Sequence, residues 1–456
     1  MRRVVKVSRI RIIITIIVVV LTTLLTGCTG KEPNEIAYVV ALGIDSTDDD
    51  NYKITIQYAN TTQISGGASE SGGKAGSEIV DNVTIEAPNI YAGVGLANNI
   101  VSKSFSMSHA KLIVFSKEIA EKGVKDMIET LVRSEEIRPD VFIAVANTTA
   151  NDYLTSVNPE MEVNPAQYYQ LIYQKNQLVG IPDGQLREFF TGLYTDNYDS
   201  ILPVSGVIEG AGGNSQNDDK GQSKDGQNEG SEGSSESLDS FESKSSDDKD
   251  ENEKEKDAKK NTSKYEYDIK NYVGGETAIE KKNKAEAIGA AVFEKDKMVG
   301  ELGEVETEIC KMLKGDYTYS YLTYYNNDTP DIPITVKTTQ QKKPKYKIDT
   351  DKKTVDIELY IESDLYSLPA DYNVENKIED FERDVANYTS SACTEFINNF
   401  TKKYNSDILK LNEKIKYKFL TNNQYNWFKK NVGWSEYKFS VCTNFKVRRT
   451  GLIVRE

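Results

Sequence analysis

A long stretch almost free of apolar residues most constrains how this chain can fold. From Glu209 to Lys260 the sequence consists mainly of Gly, Ser, Asn, Gln, Asp, Glu and Lys, with 16 acidic and 8 basic residues. Such a segment buries too little apolar surface to offset its ordering entropy, so we expect residues 209–264 to be a disordered acidic linker. Two interpretations stay open: a charged spacer, or an insertion tolerated in a surface loop because long loops add little closure entropy.

The linker divides the rest of the 456-residue chain into regions that we interpret separately. About 430 residues outside a short leader are enough for two or three domains with their own cores. The predicted regions are a signal peptide at 1–27, an N-terminal α/β domain region at 28–208, a middle region at 265–335 and a C-terminal α+β domain at 336–456.

The first 30 residues have the layout of a bacterial export signal. Five basic residues precede an apolar run from Ile12 to Leu25, which is too short to span a bilayer comfortably. The run ends in Leu25-Thr-Gly-Cys28, which fits the lipobox at which the leader is cleaved and Cys28 receives a diacylglycerol. Further acylation of the new N-terminus would make the anchor stable, at about 0.8 kcal/mol per buried CH₂. The alternative is an N-terminal transmembrane helix with a cysteine there by chance.

Charge and cysteine content narrow the classes of function. The formal net charge is -15, and loss of residues 1–27, which hold five basic and no acidic residues, takes the mature chain to -20. This balance argues against nucleic acid as a partner. Besides Cys28 the chain has Cys310, Cys393 and Cys442, which allow one disulfide at most. Each lies in a periodic segment, so we interpret all three as small core residues.

Before the linker the pattern alternates between strands and helices. A continuous apolar strand at Ile36–Ile44 is followed by a strand at Tyr52–Tyr58 with alternating apolar residues. The acidic turn between them lacks the glycine and the terminal glutamate of a calcium loop, so we interpret it as a hairpin turn. A strand at Lys111–Phe115, a helix at Lys117–Arg133 and a strand at Val141–Ala146 fit a βαβ unit. Shorter helices are predicted at Pro165–Gln174 and Gln185–Gly192.

After the linker the pattern again predicts strands and helices. In YTYSYLTYY, the residues Tyr317, Tyr319 and Tyr321 share one strand face, which favours a half-buried sheet face over a stripe that grips a sugar or peptide. Other elements are predicted at Ala287–Phe293, Glu304–Leu313, Thr354–Glu362 and Lys438–Val447. A long amphipathic helix is predicted from apolar residues that recur every three or four positions: Ile378, Phe381, Val385, Tyr388, Ala392, Phe396 and Phe400.

The sequence offers few groups for catalysis or phosphate binding. His109 is the single histidine, so HExxH and Cys/His zinc sites of the usual kind are excluded. A Ser-His-Asp triad would have to use His109, which stands beside Ser108 and outside any GxSxG motif, so we interpret it as structural. The segment Gly67–Ala75 lacks two key positions of a phosphate-binding loop and precedes a predicted strand at Ile79–Ile85, so we interpret it as a hairpin loop.

Taken together, these segments resemble the Ger(x)C spore germination lipoproteins, the C subunits of nutrient germinant receptors in endospore-forming bacteria. The resemblance covers nearly the whole mature chain outside the linker and depends on the order and spacing of short motifs behind the lipobox. The motifs are Gly27-Cys28, Glu35-Ile36, Leu42–Asp45, Tyr52–Gln57, Ser108–Val114, Lys117–Ala120 with Gly123, Arg133, Glu136–Arg138, Gly289–Phe293, Met298–Leu302, Ser406–Ile408, Trp427, Trp434 and Val447–Gly451. Two departures are the length of the acidic linker and Lys410-Leu-Asn412, where the family tends to carry glycines.

The resemblance implies a multi-domain α+β fold of mixed β-sheets with packed α-helices. It implies a non-enzymatic subunit without cofactor or metal, anchored through Cys28 to the outer face of the spore inner membrane. The implied partners are the integral membrane A and B subunits, with which it would help to sense nutrients and trigger germination. His109, Arg133 and Arg138 lie in matching motifs and are candidates for a structural or partner-facing role.

Two other functions stay open at this stage. An extracellular solute-binding lipoprotein would also be acidic and anchored, but it would bind a nutrient alone in a cleft between two lobes. A surface hydrolase of the spore wall would need paired carboxylates in a groove. Carboxylate pairs are too numerous in so acidic a chain to single one out, so the ordered motifs favour the germination subunit.

Overall fold

A computed structural model describes most of the chain outside the leader and the acidic linker. The described residues are 13–18, 35–49, 51–59, 80–159, 162, 164–174, 180–195, 197–208, 271–277, 283–325, 333–367, 377–404 and 406–450. The lipobox, the predicted hairpin loop at 67–75 and the linker at 209–264 lie outside these residues. Within them, no helix combines the length and apolar character needed to cross a bilayer.

The first of two β-sheets contains nine strands. They are β1 (Ile36–Ser46), β2 (Tyr52–Ala59), β3 (Val80–Ala87), β4 (Ser104–Ser106), β5 (Leu112–Ser116), β6 (Phe142–Ala146), β7 (Ile201–Val207), β8 (Ala285–Glu294) and β9 (Lys297–Leu302). Their order is β3-β2-β1-β5-β6-β7-β8-β9, and β4 pairs with the start of β1. Strands β1, β5, β6 and β7 are parallel, and antiparallel pairs flank them on both sides.

Helices cover both faces of this sheet because its central strands are apolar on both sides. On one face lie α1 (Ile90–Ile100), α2 (Lys117–Lys122), α3 (Lys125–Val132) and α6 (Leu186–Thr195). On the other face lie α4 (Ala150–Ser156) and α5 (Pro165–Gln174). The strands and the two shorter helices predicted before the linker are therefore confirmed, within a few residues at their ends.

The predicted βαβ unit is present, but its helix is interrupted. Strands β5 and β6 are parallel, and α2 and α3 connect them with a break at Gly123. Gly123 has a φ of 124°, a conformation that favours glycine, and the N–H of Val124 donates to the backbone oxygen of Asp296 at 3.0 Å. The prediction of one helix from Lys117 to Arg133 was wrong because the chain turns at Gly123 to meet the β8–β9 hairpin.

Strands from both sides of the acidic linker are neighbours within the first sheet. β7 ends just before the linker, and β8 begins after it, yet the two pair antiparallel from Ile201 opposite Val292 to Val207 opposite Ala285. Close packing accompanies this pairing, since a Cβ on Gly206 would lie 2.1 Å from the backbone of Gly274. The linker is therefore inserted in the connection between two neighbouring strands.

The second sheet has five strands, which are β10 (Tyr319–Tyr325), β11 (Pro333–Gln340), β12 (Lys345–Asp349), β13 (Thr354–Ser367) and β14 (Lys438–Arg449). β13 pairs in parallel with β14 on one side and antiparallel with β12 and β11 on the other. The helices of this half are α7 (Glu304–Lys314), α8 (Ile378–Tyr404), α9 (Leu411–Ile415) and α10 (Asn422–Asn431). Their core also takes in Ala290 and Val292 of β8. The implied α+β fold of mixed sheets with packed helices is confirmed.

The buried stripe of the long helix α8 differs from the predicted one. Phe381, Val385 and Phe400 are buried as predicted. Between Val385 and Phe400 the buried positions of the helix are Thr389, Cys393 and Ile397. Four of the predicted positions are only half-buried: Ile378, Tyr388, Ala392 and Phe396. A prediction from hydropathy selects the neighbouring row of residues because that row is more apolar. In the folded protein, a threonine and a cysteine of the other row face the sheet.

Polar side chains of α8 close the outer edge of β14. The N–H groups of Phe439, Val441 and Thr443 donate to Asn398 Oδ1 at 3.1 Å, Thr394 Oγ1 at 3.0 Å and Ser390 Oγ at 2.9 Å. The partners are four residues apart on the helix and two apart on the strand. These steps match because four helical residues rise about 6 Å and two strand residues about 6.6 Å. The helix thus replaces the neighbouring strand that an edge lacks.

The three described cysteines are free thiols in two different environments. Cys310 and Cys393 are fully buried, and burial raises their pKa values to about 11 and about 12. Both therefore confirm the core interpretation. Cys442 is exposed, so that interpretation was wrong for it, because alternate side chains of β14 point away from α8.

The tyrosine stripe near β10 does not form one half-buried face. Tyr317 precedes the strand and is buried, and Tyr324 is buried against α8. Tyr321 lies on the outer face with 52% of its surface exposed, where its ring meets Tyr319 and Tyr366 edge to face. The strand begins only at Tyr319, so Tyr317 does not share its alternation.

We expect Asn398→Ala to lower the free energy of unfolding by roughly 1–3 kcal/mol. Asn398 accepts from the N–H of Phe439 and donates to its backbone oxygen at 2.9 Å, so alanine leaves two part-buried groups without partners. Urea unfolding would measure the change. The neighbouring exposed Asn399→Ala is the matched control, and an equal loss in both variants would contradict the proposed edge closure.

Candidate functional site

The structure brings His109 and Arg138 to the same edge of the first sheet. His109 ends a 3₁₀ turn that leads into β5, and Arg138 lies in the connection that leads into β6. Because β5 and β6 are parallel, these two segments meet at the amino ends of the strands. The N–H of Met107 donates to Glu136 Oε2 at 2.6 Å and joins the turn to the connection. We call this edge the amino edge of the first sheet.

The three predicted candidate residues at this edge are all exposed. The ring of His109 packs edge to face on Tyr38 of β1, with centroids 4.9 Å apart. Arg133 follows the end of α3 and pairs with Glu129 at 3.1 Å. Exposed ion pairs of this kind contribute little to folding stability. Stability therefore does not explain why these residue types occur at these positions.

The geometry around His109 does not form a nucleophile–base pair. The hydroxyl of Ser108 lies 3.0 Å from the hydroxyl of Ser106 and is not paired with the imidazole. Arg138 pairs with Asp140 at 3.0 Å, two residues away. Among the residues that the structure describes, no three His, Cys, Asp or Glu side chains come together in a way that could hold a metal ion.

A groove of about 730 Å³ lies where the two sheets adjoin. Its walls come from the segment Ile181–Asp183, the end of α7, the start of β10 and the end of β11. The charged residues that line it are Lys311, Lys314, Lys337, Lys343, Lys410, Asp183, Glu188 and Asp316. Five lysines against three carboxylates make the groove locally cationic in an acidic chain.

Two structural features position the lysines of the groove. Helix α7 ends at Gly315, whose φ of 84° turns the chain so that Lys314 and Asp316 lie at the rim, 3.8 Å apart. Inside the wall, Lys311 Nζ donates to the backbone oxygen of Ile181 at 3.0 Å, and burial lowers the pKa of its ammonium. The groove can thus hold a small polar or anionic molecule.

Lys410 connects the groove to the motif Ser406-Asp407-Ile408. Lys410 has a φ of 57°, in the left-handed region that favours glycine, at the place where glycines were expected from the resemblance. Its ammonium lies 4.3 Å from the centroid of the Tyr198 ring and 3.9 Å from Glu188 Oε1. The departure from the family pattern therefore affects one local turn.

Asp407 is a buried residue whose structural role the sequence reasoning missed. Its carboxylate accepts from the N–H groups of Leu411 at 2.7 Å and Asn412 at 2.8 Å, at the start of α9. Its own N–H donates to Asp199 Oδ2 at 2.9 Å, before β7. Burial raises the pKa of Asp407 to about 7, although those two N–H bonds oppose the shift. The sequence signal that could have identified this role is an aspartate just ahead of a helix start.

A hydrogen-bonded set of buried tyrosines lies behind the groove. Tyr173, which lines the groove, shares hydrogen bonds with the hydroxyl of Tyr153 at 2.8 Å and with Ser205 at 2.6 Å. Tyr169 donates to Gln57 Oε1 at 2.5 Å. Burial raises the pKa of Tyr173 far above its ordinary value. These tyrosines therefore stay neutral and tie α4, α5 and β7 together.

Two family models match the chain on either side of the acidic linker. Residues 30–207 match the model described as the spore germination protein N-terminal domain. Residues 288–451 match the model described as spore germination B3/GerAC like, C-terminal. The two matches together span most of the chain, including strands of both sheets.

Individual germination proteins align with part of the chain. The chain is 26% identical over 174 residues to spore germination protein KC of Bacillus subtilis (strain 168), which is 35% of this chain and 42% of that protein. It is 28% identical over 145 residues to the putative spore germination protein YfkR of the same organism, or 32% and 37%. The alignments thus span less than half of each relative. The crystal structure of the GerBC protein superposes with a TM-score of 0.47 at 15% identity, covering 89% of this chain and 96% of that chain.

We expect Asp407→Asn to change how stability depends on pH. The folded pKa of Asp407 is about 7, whereas an unfolded aspartate titrates near about 3.9. Between these values the folded chain holds a proton that the unfolded chain releases, so stability is lost as pH rises through the window.

Urea unfolding at pH 5 and pH 8 would measure this contribution. The stability lost between the two pH values should be smaller in Asp407→Asn than in the parent by roughly 2–3 kcal/mol. Asp351→Asn, which removes an exposed carboxylate, is the control and should keep the parental pH dependence. If Asp407→Asn keeps it as well, the proton is not held by Asp407.

Proposed function

Because the chain belongs to the GerAC-like family of spore germination proteins, we propose that it is a membrane-anchored, non-enzymatic subunit of a nutrient germinant receptor. The observation that supports this most is the match of both family domains in order, on both sides of the linker. The relatives are themselves named for spore germination. In this proposal the chain takes part in the sensing or signalling of a nutrient that triggers germination.

The proposed anchor is a lipid on Cys28. Cys28 lies only seven residues before Glu35, the residue that directly precedes β1. Seven extended residues reach at most about 25 Å, so a lipid at Cys28 would keep the start of β1 close to the membrane surface. The fold would then lie against the outer face of the spore inner membrane.

We further propose that the amino edge of the first sheet faces the integral membrane A and B subunits. β1 starts at this edge, as the contact between Tyr38 and His109 illustrates. A lipid at Cys28 would therefore hold His109, Arg133 and Arg138 near the membrane. Binding there would stabilise one state of the membrane subunits, so the contribution of this chain is a coupling free energy between sites.

The expected effect of Cys28→Ala is a selective loss of the nutrient response in spores that carry it as the only copy. Without the acyl chains the subunit should leave the membrane and its partners. Release of dipicolinate after a nutrient trigger would be measured beside release after a non-nutrient trigger. Cys442→Ala, at an exposed cysteine, serves as the matched control. Normal responses to both triggers in Cys28→Ala would contradict the proposal.

Charge reversal tests the amino edge separately from the anchor. Arg138→Glu should lower nutrient-triggered release several-fold because a charge of the wrong sign would face the partner, while the amount and the melting temperature of the protein stay unchanged. Arg383→Glu changes an equally exposed arginine of α8, which also pairs with a nearby aspartate, and should have no such effect. If the two variants behave alike, the amino edge does not face a partner.

A further inference from the structure

Three large apolar side chains are strongly exposed within eleven residues of the second half. Tyr417, Leu420 and Trp427 are exposed to 81%, 94% and 64%. Isolated exposed apolar residues are normal on protein surfaces, but a cluster of large ones marks an interaction site. Together with Lys416, Lys418, Lys429 and Lys430, these three side chains define what we call the basic-aromatic patch.

A rigid inner layer supports this patch. Phe419 and Phe428 pack with ring centroids 5.1 Å apart, and Phe428 packs on Trp434 at 6.0 Å. Thr421 caps the start of helix α10, and its hydroxyl accepts from the N–H of Gln424 at 3.3 Å. Because Phe428 faces inward, its neighbour Trp427 points to solvent on a helix whose position is fixed. The exposure of the patch is thus not the fraying of a loose loop.

The segment that carries the patch is basic. The segment from Lys414 to Asn431 has five lysines and no acidic residue, in a chain with a net charge of -15; Glu413 stands just outside it. Lys429 Nζ donates to the backbone oxygen of Thr195 and to Asn197 Oδ1, both at 3.1 Å, and Lys418 donates to the backbone oxygen of Ile348. In the part of the chain that the structure describes, none of the five ammonium groups is within salt-bridge distance of a carboxylate.

We propose that the basic-aromatic patch docks on the surface of a membrane that contains anionic lipids. Lysines attract anionic headgroups, at about 1 kcal/mol per residue near the surface. Tryptophan and tyrosine prefer the boundary between headgroups and acyl chains, where Leu420 can also insert. A protein partner fits less well, because lysine is depleted in protein–protein interfaces.

The position of the patch agrees with this partner. α10 contacts Thr195 and Asn197, which lie in the segment that leads into the amino end of β7. β1 is parallel to β7 through β5 and β6, so the chain from Cys28 enters at the same edge, three strand spacings or roughly 15 Å away. Only this argument from position depends on the proposed lipid anchor.

Vesicle binding by the chain without its lipid tests the proposal directly. The protein would lack residues 1–27 and carry Cys28→Ala, which keeps every strand and helix of both sheets. We expect it to bind vesicles of phosphatidylglycerol but not of phosphatidylcholine, and to dissociate in high salt. The chain has two tryptophans, and Trp434 is buried, so a blue shift of the emission would report insertion of Trp427.

Matched variants distinguish binding through this patch from nonspecific adsorption to vesicles. The triple change of Tyr417, Leu420 and Trp427 to serine should abolish binding. Lys416→Glu with Lys430→Glu should weaken it by more than about tenfold, given about fivefold per lysine lost. The controls are Tyr321→Ser with Tyr366→Ser, which are 52% and 59% exposed on the outer face of the second sheet, and Lys125→Glu with Lys438→Glu. All positions are exposed, and equal melting temperatures would show that folding is intact.

The outcomes distinguish this inference from the proposed function. Absence of binding to anionic vesicles, or binding that the serine variant retains, overturns the inference. A serine variant that loses nutrient-triggered germination when the parent does not bind vesicles also overturns it, and would assign the patch to a protein partner. Vesicle binding that depends on the patch supports it, even if spores with Cys28→Ala germinate normally and the receptor proposal fails.

Discussion

The pairing of β7 with β8 is the contact on which the rest of the structure depends. The two strands come from opposite sides of the acidic linker and are neighbours in the first sheet. One face of β8 packs in the core of the first sheet, and Ala290 and Val292 on the other face pack with α7 and α8. Through β8 this pairing attaches the helices of the second half to the first sheet, and Ile201 of β7 lines the groove beside it. The N–H bond of Asp407 to Asp199, just before β7, reinforces the same junction.

Parallel strands determine which surfaces can act together. Because β1, β5, β6 and β7 all start at one edge, residues far apart in sequence, such as Tyr38, His109 and Arg138, come together there. The segment before β7 brings α10 and the basic-aromatic patch to the same side. A chain anchored through a lipid shortly before β1 would thus turn one defined side towards the membrane. The charge of the patch and the proposed lipid attachment both favour an orientation in which this side of the protein faces the membrane. The two depend on different parts of the sequence.

Local patterns predicted the elements well and their contacts less well. Strands were found because alternation and apolar runs depend only on adjacent residues, and α5 matched its predicted limits at Pro165 and Gln174. The break at Gly123 was missed because Asp296, which the chain turns to meet, is distant in sequence. The stripe of α8 was partly wrong because Thr389 and Cys393 are selected by packing and not by hydropathy.

The sequence alone determined the export-type leader pattern, the acidic break at 209–264, the alternation of strands and helices, and the family motifs, since all of these are properties of neighbouring residues. It also identified Trp427 and the motif around Asp407 as marks of the family. Only the tertiary structure decided that Trp427 is exposed and Trp434 buried, that the N–H of Asp407 donates to Asp199, and that Cys442 faces solvent. The reason is physical: burial and hydrogen-bond partners depend on which surfaces meet, and these meetings join residues tens to hundreds of positions apart.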